Sequence, residues 1–261
     1  MTWRVKLGKE AQTETVATRL VWAVGYFAEE AHYFKSAKIK NLPRLSRGNE
    51  FIRGNEVIGA RFEPRRKNVI RGNVWDWNKN PFANTYELNG LKILMILLNN
   101  YDAGKENNRI MYVSNNNTGR YEARYVVTDL GATLGKADGI GGNRSKNNLR
   151  DFLSTRFVMG VKNGVVDFDY DTRPTGLGIL TIFHPGYYRG QVKKEKSMRN
   201  IPVEHARWIG SLLSQLTDKQ LGDMFRAARY DDLTTKSYVK TFRERINQLT
   251  RLTAYQNNAQ K

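Results

Sequence analysis

The stretch Tyr86–Leu98 constrains the fold most. It reads as a helix that becomes apolar on nearly every side late in its length, where Ile93 to Leu98 forms the longest apolar run of the chain. A helix of that kind must be buried, so other elements have to surround it. The run is far short of the roughly 20 residues a membrane span needs. Residues Asn99–Asn108 are polar and contain Gly104, which predicts a loop at the end of the buried helix.

Flanking patterns fill in the rest. Trp3, Val5 and Leu7 alternate with Arg4 and Lys6, predicting a strand over residues 3–7 that Gly8 ends. Val16, Ala17, Leu20, Val21 and Val24 form an apolar stripe, so Thr13–Val24 reads as a helix stopped by Gly25. Between residues 35 and 80 the pattern is weak. Ile39, Leu42 and Leu45 suggest a strand or irregular stretch broken by Pro43, Val57–Phe62 a strand, and Trp75 and Trp77 a loop with buried indoles. Ile110–Val113 and Tyr121–Thr128 read as a hairpin across the turn at 114–119. Phe157–Val161, Val165–Tyr170 and Ile179–Phe183 are strand-like. Ala206–Leu216, Asp218–Ala228 and Lys236–Leu252 are helical, with Thr217 or Asp218 as a cap. The order of elements predicts an α+β fold whose C-terminal part is mainly helical.

The chain has 261 residues, enough for one large domain, and 40% hydrophobic residues, enough for a sizeable core. Without cysteine there are no disulfides, thiolate nucleophiles or Cys-based zinc sites. A formal charge of +18 attracts polyanions, yet it is equally met by solvated lysines and arginines spread along the chain. The local clusters Arg65-Arg66-Lys67 and Lys193-Lys194-Glu195-Lys196 are too short for a nucleic-acid tail. The opening Met-Thr-Trp-Arg-Val-Lys lacks the segments of a secretion signal, so as written the product reads as cytoplasmic; an upstream extension carrying a signal would make it periplasmic or secreted.

Three segments stand in a suggestive order. Lys6 lies on the first strand, with Glu14 in the following helix. Asp102 and Asn107 lie five positions apart in the loop after the buried helix. Asp129-Leu130-Gly131 follows the hairpin. This order resembles the protein-kinase-like superfamily, in which a catalytic-loop Asp is followed five positions later by an Asn and a metal-binding Asp-Phe-Gly comes next. In feel it is closer to atypical bacterial kinases such as the HipA-like ones. The resemblance covers roughly residues 3–135. It implies a two-lobed kinase-like domain over 1–261, with a partial N-lobe and lobe connection over 1–80 and the C-lobe over 81–261. It also implies ATP and magnesium as cofactors, and a hydroxyl acceptor on a protein or small molecule. Asp102 would be the catalytic base, and Asn107 and Asp129 the Mg²⁺ ligands. Lys105 would touch the transferred phosphate, Lys6 would pair with the α- and β-phosphates, and Glu14 would hold Lys6. The sequence departs from the pattern in three places. Asn100-Tyr101-Asp102 stands where kinases carry His-Arg-Asp, and Leu130 replaces Phe. Only five residues precede Lys6, so the N-lobe reads as truncated, without its Gly-rich loop. Gly139-Ile140-Gly141-Gly142 reads as part of an activation segment.

Other candidates have plainer readings. Asp167, Asp169 and Asp171 alternate as on a solvated strand face, although three carboxylates on one face could bind a cation. His32, His184 and His205 lack zinc spacing, and His184 to Tyr188 reads as a turn with packed aromatics. Two rivals to an active phosphotransferase stay open: a catalytically silent kinase-like binding or scaffold domain, and a basic nucleic-acid-binding protein that no motif supports.

Overall fold

The computed structural model describes residues 2–46, 48–115, 118–137, 139–140, 144–172, 174–175 and 185–253. Strand β1 (Thr2–Leu7) runs into helix α1 (Glu10–Ala23), followed by β2 (Phe27–Ala28), β3 (His32–Lys38), β4 (Ile52–Arg53), β5 (Glu56–Arg65) and β6 (Val69–Arg71). The first sheet is antiparallel in the order β1-β5-β3, with β4 also on β5. Its register sets Lys6 opposite Arg61 and Arg4 opposite Glu63, so these charged side chains share the face turned to α1. Helix α1 buries Val16, Ala17, Leu20 and Val21, as its stripe requires. It ends where expected: Gly25 adopts φ +87°, a left-handed conformation that glycine takes without steric cost.

Helix α2 (Tyr86–Leu97) is the buried rod the sequence predicts, with every residue from Leu88 to Leu97 buried. Thr85 caps it by accepting from the Leu88 amide at 3.2 Å. After the loop, β7 (Asn108–Ser114) and β8 (Tyr121–Val127) form the hairpin, within a second sheet ordered β2-β8-β7-β6. Next come β9 (Gly139–Ile140), α3 (Leu149–Ser154), β10 (Val158–Lys162), β11 (Val165–Phe168), β12 (Pro174–Thr175), α4 (Pro185–Ser197) and β13 (Ile201–Pro202). Three helices close the described chain: α5 (Val203–Ser214), α6 (Asp218–Ala227) and α7 (Asp232–Thr250). Thr217 and Gln220 cap α6 reciprocally, and Asp231 caps α7. One contiguous cluster of buried side chains runs from Val16 through α2 to Leu252. The α+β class and the mainly helical C-terminal part are as the sequence predicts.

Three local expectations need correction or fall outside the described residues. His32–Lys38 is a strand that the sequence reading passes over, and Ile39, Leu42 and Leu45 lie in irregular chain after it. Residues 185–197 form a helix, not a turn. Ile179–Phe183, His184, Gly141 and Gly142 lie outside the described residues, whereas Gly139–Ile140 pairs in parallel with Pro174–Thr175. Among the described residues no helix is long and apolar enough to cross a membrane.

Candidate functional site

The loop after α2 is held from several sides. Buried Arg245 of α7 donates to the Leu97 carbonyl at 3.0 Å and to Thr155 Oγ1 at 2.7 Å, closing the C-terminal end of the rod. Asn99, left-handed at φ +53°, donates through Nδ2 to the Gly135 carbonyl at 2.9 Å. Asn100 is buried, and its Oδ1 accepts from the Asp102 amide at 2.9 Å. Trp77, also buried, donates its indole N–H to the Ala103 carbonyl at 3.0 Å. The expectation of buried indoles therefore holds, and one of them braces the residue next to Asp102.

Asn107 returns to Asp102 at the far end of the loop. Its Nδ2 donates to the Asp102 backbone carbonyl at 2.8 Å and to Asp102 Oδ2 at 3.1 Å. With Nδ2 so committed, Oδ1 is the atom of this amide left to meet a cation. The Asn107 carbonyl accepts from the Thr128 amide at 2.8 Å and from the Thr128 hydroxyl at 3.0 Å. Asn107 is thereby tied to the neighbour of Asp129, and the hairpin brings the two predicted metal ligands to the same edge.

Asp129 is left-handed, at φ +54°. Its carboxylate accepts from Lys6 Nζ, 123 residues earlier in the chain. Lys6 also lies 3.1 Å from Glu10 Oε2. Burial disfavours the Lys6 ammonium, but the hydrogen bond to Asp129 and the charges of Glu14, Asp129 and Glu10 outweigh it and raise its pKa above the ordinary lysine value. Gly131 is required by close approach: a Cβ there would sit 2.6 Å from Glu10 Cβ. Thr13 Oγ1 donates to the Gly131 carbonyl at 2.7 Å, which fixes the first turn of α1 to the Asp129-Leu130-Gly131 segment.

Two predicted placements change. Glu14 does not touch Lys6. It is buried and ion-paired with Arg61, which lies 3.4 Å from Glu63, all between α1 and the first sheet. Glu10, one turn earlier and nearer the end of β1, holds Lys6 directly and also accepts from Lys146. Burial pushes Glu14 up to about 7, against the opposing pull of Arg61 and Lys6. Lys105 is exposed on the rim of the loop, where its charge falls on Asp76 and Glu106. The cation on Asp102 is instead Lys194 of α4, whose Nζ is 2.6 Å from Asp102 Oδ1 and 3.1 Å from Glu106 Oε1. Burial lowers the Lys194 pKa, yet its bonds to Asp102 and Glu106 leave it raised. The sequence cluster at 193–196 is the trace of this residue, legible only once α4 is known to lie against the loop.

The other candidates take their plainer roles. Asp167 is exposed on β11 and Asp169 is exposed just past its end, where it accepts from the Arg156 amide at 3.1 Å. His32 bonds Glu30 at 2.8 Å, and His205 bonds Asn89 at 3.0 Å while stacking on Tyr86. Among the described residues no three His, Asp or Glu side chains form a cage ready for a metal ion. The oxygen donors at the site, Asp129 and Asn107 Oδ1, suit instead a hard divalent cation that completes its shell with phosphate oxygens and water.

No protein-family model matches this chain, and no curated protein matches it. Among solved structures the chain is similar to the Helicobacter pylori proinflammatory kinase CtkA, at 11% identity over 95% of this chain and 91% of that one, with a TM-score of 0.37.

Proposed function

We propose that this chain is a kinase-like phosphotransferase that moves the γ-phosphoryl group of ATP to a hydroxyl acceptor. The observation that carries the reading is the convergence of two pairs, Asp102 with Asn107 and Lys6 with Asp129, through the hydrogen bonds from Thr128 to the Asn107 carbonyl. Phosphoryl transfer asks mainly for positioning and charge neutralisation, and this group offers both.

In this reading Lys6 binds the α- and β-phosphates and is oriented by Glu10, while Asn107 Oδ1 and Asp129 hold magnesium. Magnesium, when bound, neutralises charge on the phosphate oxygens. Asp102 orients the acceptor hydroxyl and takes its proton as the phosphoryl group bonds to the acceptor oxygen and ADP leaves. Lys194 stabilises the Asp102 carboxylate and lies within reach of the transferred group, the role the sequence assigned to Lys105.

A second reading, a silent domain that binds nucleotide without turnover, is favoured by one observation. Lys194 already sits on the proposed base at 2.6 Å. Turnover of γ-labelled ATP separates the two. We expect Mg²⁺-dependent turnover that falls by roughly 10²–10⁴-fold in Asp102→Ala, the range for loss of a general base. Nucleotide binding, read as an ATP- and Mg²⁺-dependent rise in melting temperature, should survive that substitution. Binding without turnover in the unsubstituted chain would leave the silent reading standing.

A further inference from the structure

Away from this site, a cavity of about 870 Å³ lies between β3 and the C-terminal end of α6. Its β3 wall consists of five consecutive residues, His32 to Ser36. A cavity against one face of a strand is lined by alternate residues, so a consecutive wall means that the cavity faces the strand edge. That edge is open among the described residues, since β3 pairs only with β5. An open edge presents unpaired backbone donors and acceptors.

The opposite wall is basic. Arg226 and Arg229 line it with Asp223, and Arg19 and Lys35 complete the cavity. Arg226 holds Asp223 at 2.7 Å, so that one carboxylate is already neutralised. Among the described residues the side chains of Lys35 and Arg229 are exposed and in no ion pair or hydrogen bond. Arg19 spends Nη1 on the carbonyls of Thr15 and Ala31, at 3.2 and 3.0 Å, which fixes its guanidinium beside the start of β3.

Arg229 carries the argument further. It sits at φ +62°, just past the end of α6. The Tyr230 amide donates to the Phe225 carbonyl at 3.2 Å and the Arg229 amide to the Arg226 carbonyl at 2.9 Å. This is the helix stop at which glycine is the usual residue. The chain meets the same backbone need with Asn at 41, 84, 99, 147, 163 and 200, six of the nine non-glycine positions with positive φ among the described residues. The other exceptions are Asp129 in the candidate site and fully buried Leu134. An exposed Arg in this conformation costs about 1 kcal/mol relative to glycine, and it places a positive charge on this wall of the cavity.

We propose that the edge of β3 is a docking site for an acidic peptide segment bound as an added antiparallel or parallel strand. Its backbone completes the open edge, and its carboxylates face Lys35, Arg19 and Arg229. A second copy of the same edge is disfavoured, because it would gather Lys35 and Lys38 of both copies along one seam. The proposal is independent of the phosphotransfer reading.

The test is fluorescence anisotropy on the full chain with a labelled hexapeptide of alternating Glu and Val. We expect saturable, salt-sensitive binding that Lys35→Ala and Arg229→Ala each weaken by about 2- to 5-fold, the scale of one exposed charge pair. Arg229→Gly suits the left-handed backbone and gives the same reading should the alanine variant fold poorly. Two further peptides, N-methylated on alternate amides in the two phases, test strand addition. One phase should bind and the other should not. Equal binding of both phases, or indifference to both substitutions, overturns the proposal. So does an oligothymidylate that binds more tightly than the peptide and is weakened by the same substitutions, which would make the cleft a nucleic-acid groove.

Discussion

Lys194 Nζ lies 2.6 Å from Asp102 Oδ1, joining a helix of the C-terminal part to the loop that follows the buried rod. The contact is only partly exposed, so its loss is felt more than that of a surface pair. Lys105, closer to Asp102 in sequence, faces solvent. Turnover should therefore fall at least about 10-fold in Lys194→Ala, the scale of one charge-assisted hydrogen bond, and stay within about 3-fold in Lys105→Ala. Steady-state kinetics with labelled ATP decides, and the reverse ranking would restore Lys105 to the role that the kinase resemblance implies.

A second contrast separates Glu10 from Glu14. Glu10 touches Lys6, whereas Glu14 is spent on Arg61. Glu10→Gln should weaken nucleotide binding, seen as a raised KM for ATP, with little loss of stability. At about pH 8, where Glu14 has lost its proton, Glu14→Leu should lower stability by about 3–5 kcal/mol, because it strands the buried Arg61 with only the more distant Glu63. Urea denaturation of both variants beside their KM values checks the division.

The pH dependence of stability follows from Glu14. Its folded pKa is raised by burial to about 7, while the unfolded carboxyl titrates near about 4.3. Between these values the folded chain keeps a proton that the unfolded chain releases. Stability from this group is complete below the lower value and is lost as pH rises through the upper one. Urea midpoints should decline between about pH 5 and pH 8, and the decline should shrink in Glu14→Gln. An unchanged slope in the variant would assign the effect to other groups.

Trp77 braces the loop through its bond to the Ala103 carbonyl. Trp77→Phe keeps most of the buried ring but leaves that carbonyl without its donor, costing about 1–3 kcal/mol. We expect a lower kcat with a nearly unchanged KM for ATP, since Ala103 adjoins the proposed base and not the residues assigned to the nucleotide.

The elements that read clearly in the sequence are those whose burial is one-sided or complete. The stripe of α1, the rod of α2 and the β7–β8 hairpin announce themselves through apolar spacing. The spacing of Asp102 and Asn107 was legible for the same reason, because it lies within one loop between two such elements. Helix α4 was not: it meets the loop through Lys194 and carries Arg189, Lys193, Lys194 and Lys196, so its contacts leave no apolar stripe to read. Strand β3 escaped because most of its residues are exposed or half-buried at a sheet edge. The partner of Lys6 lies one helical turn before the Glu14 that the sequence suggests. Glu10 and Glu14 point to the same side of α1, and only the position of Arg61 on β5, far along the chain, shows which carboxylate it claims.

The bonds that assemble the site join distant parts of the polypeptide: Lys6 to Asp129, Thr13 to Gly131, and Lys194 to Asp102, the last separated by 92 positions. None of these can form in an early local nucleus, because closing such long loops is slow. The proposed nucleotide centre should thus emerge late, when the first sheet has docked on the helical part. During refolding, ATP binding would report the completed topology, trailing the appearance of helical signal.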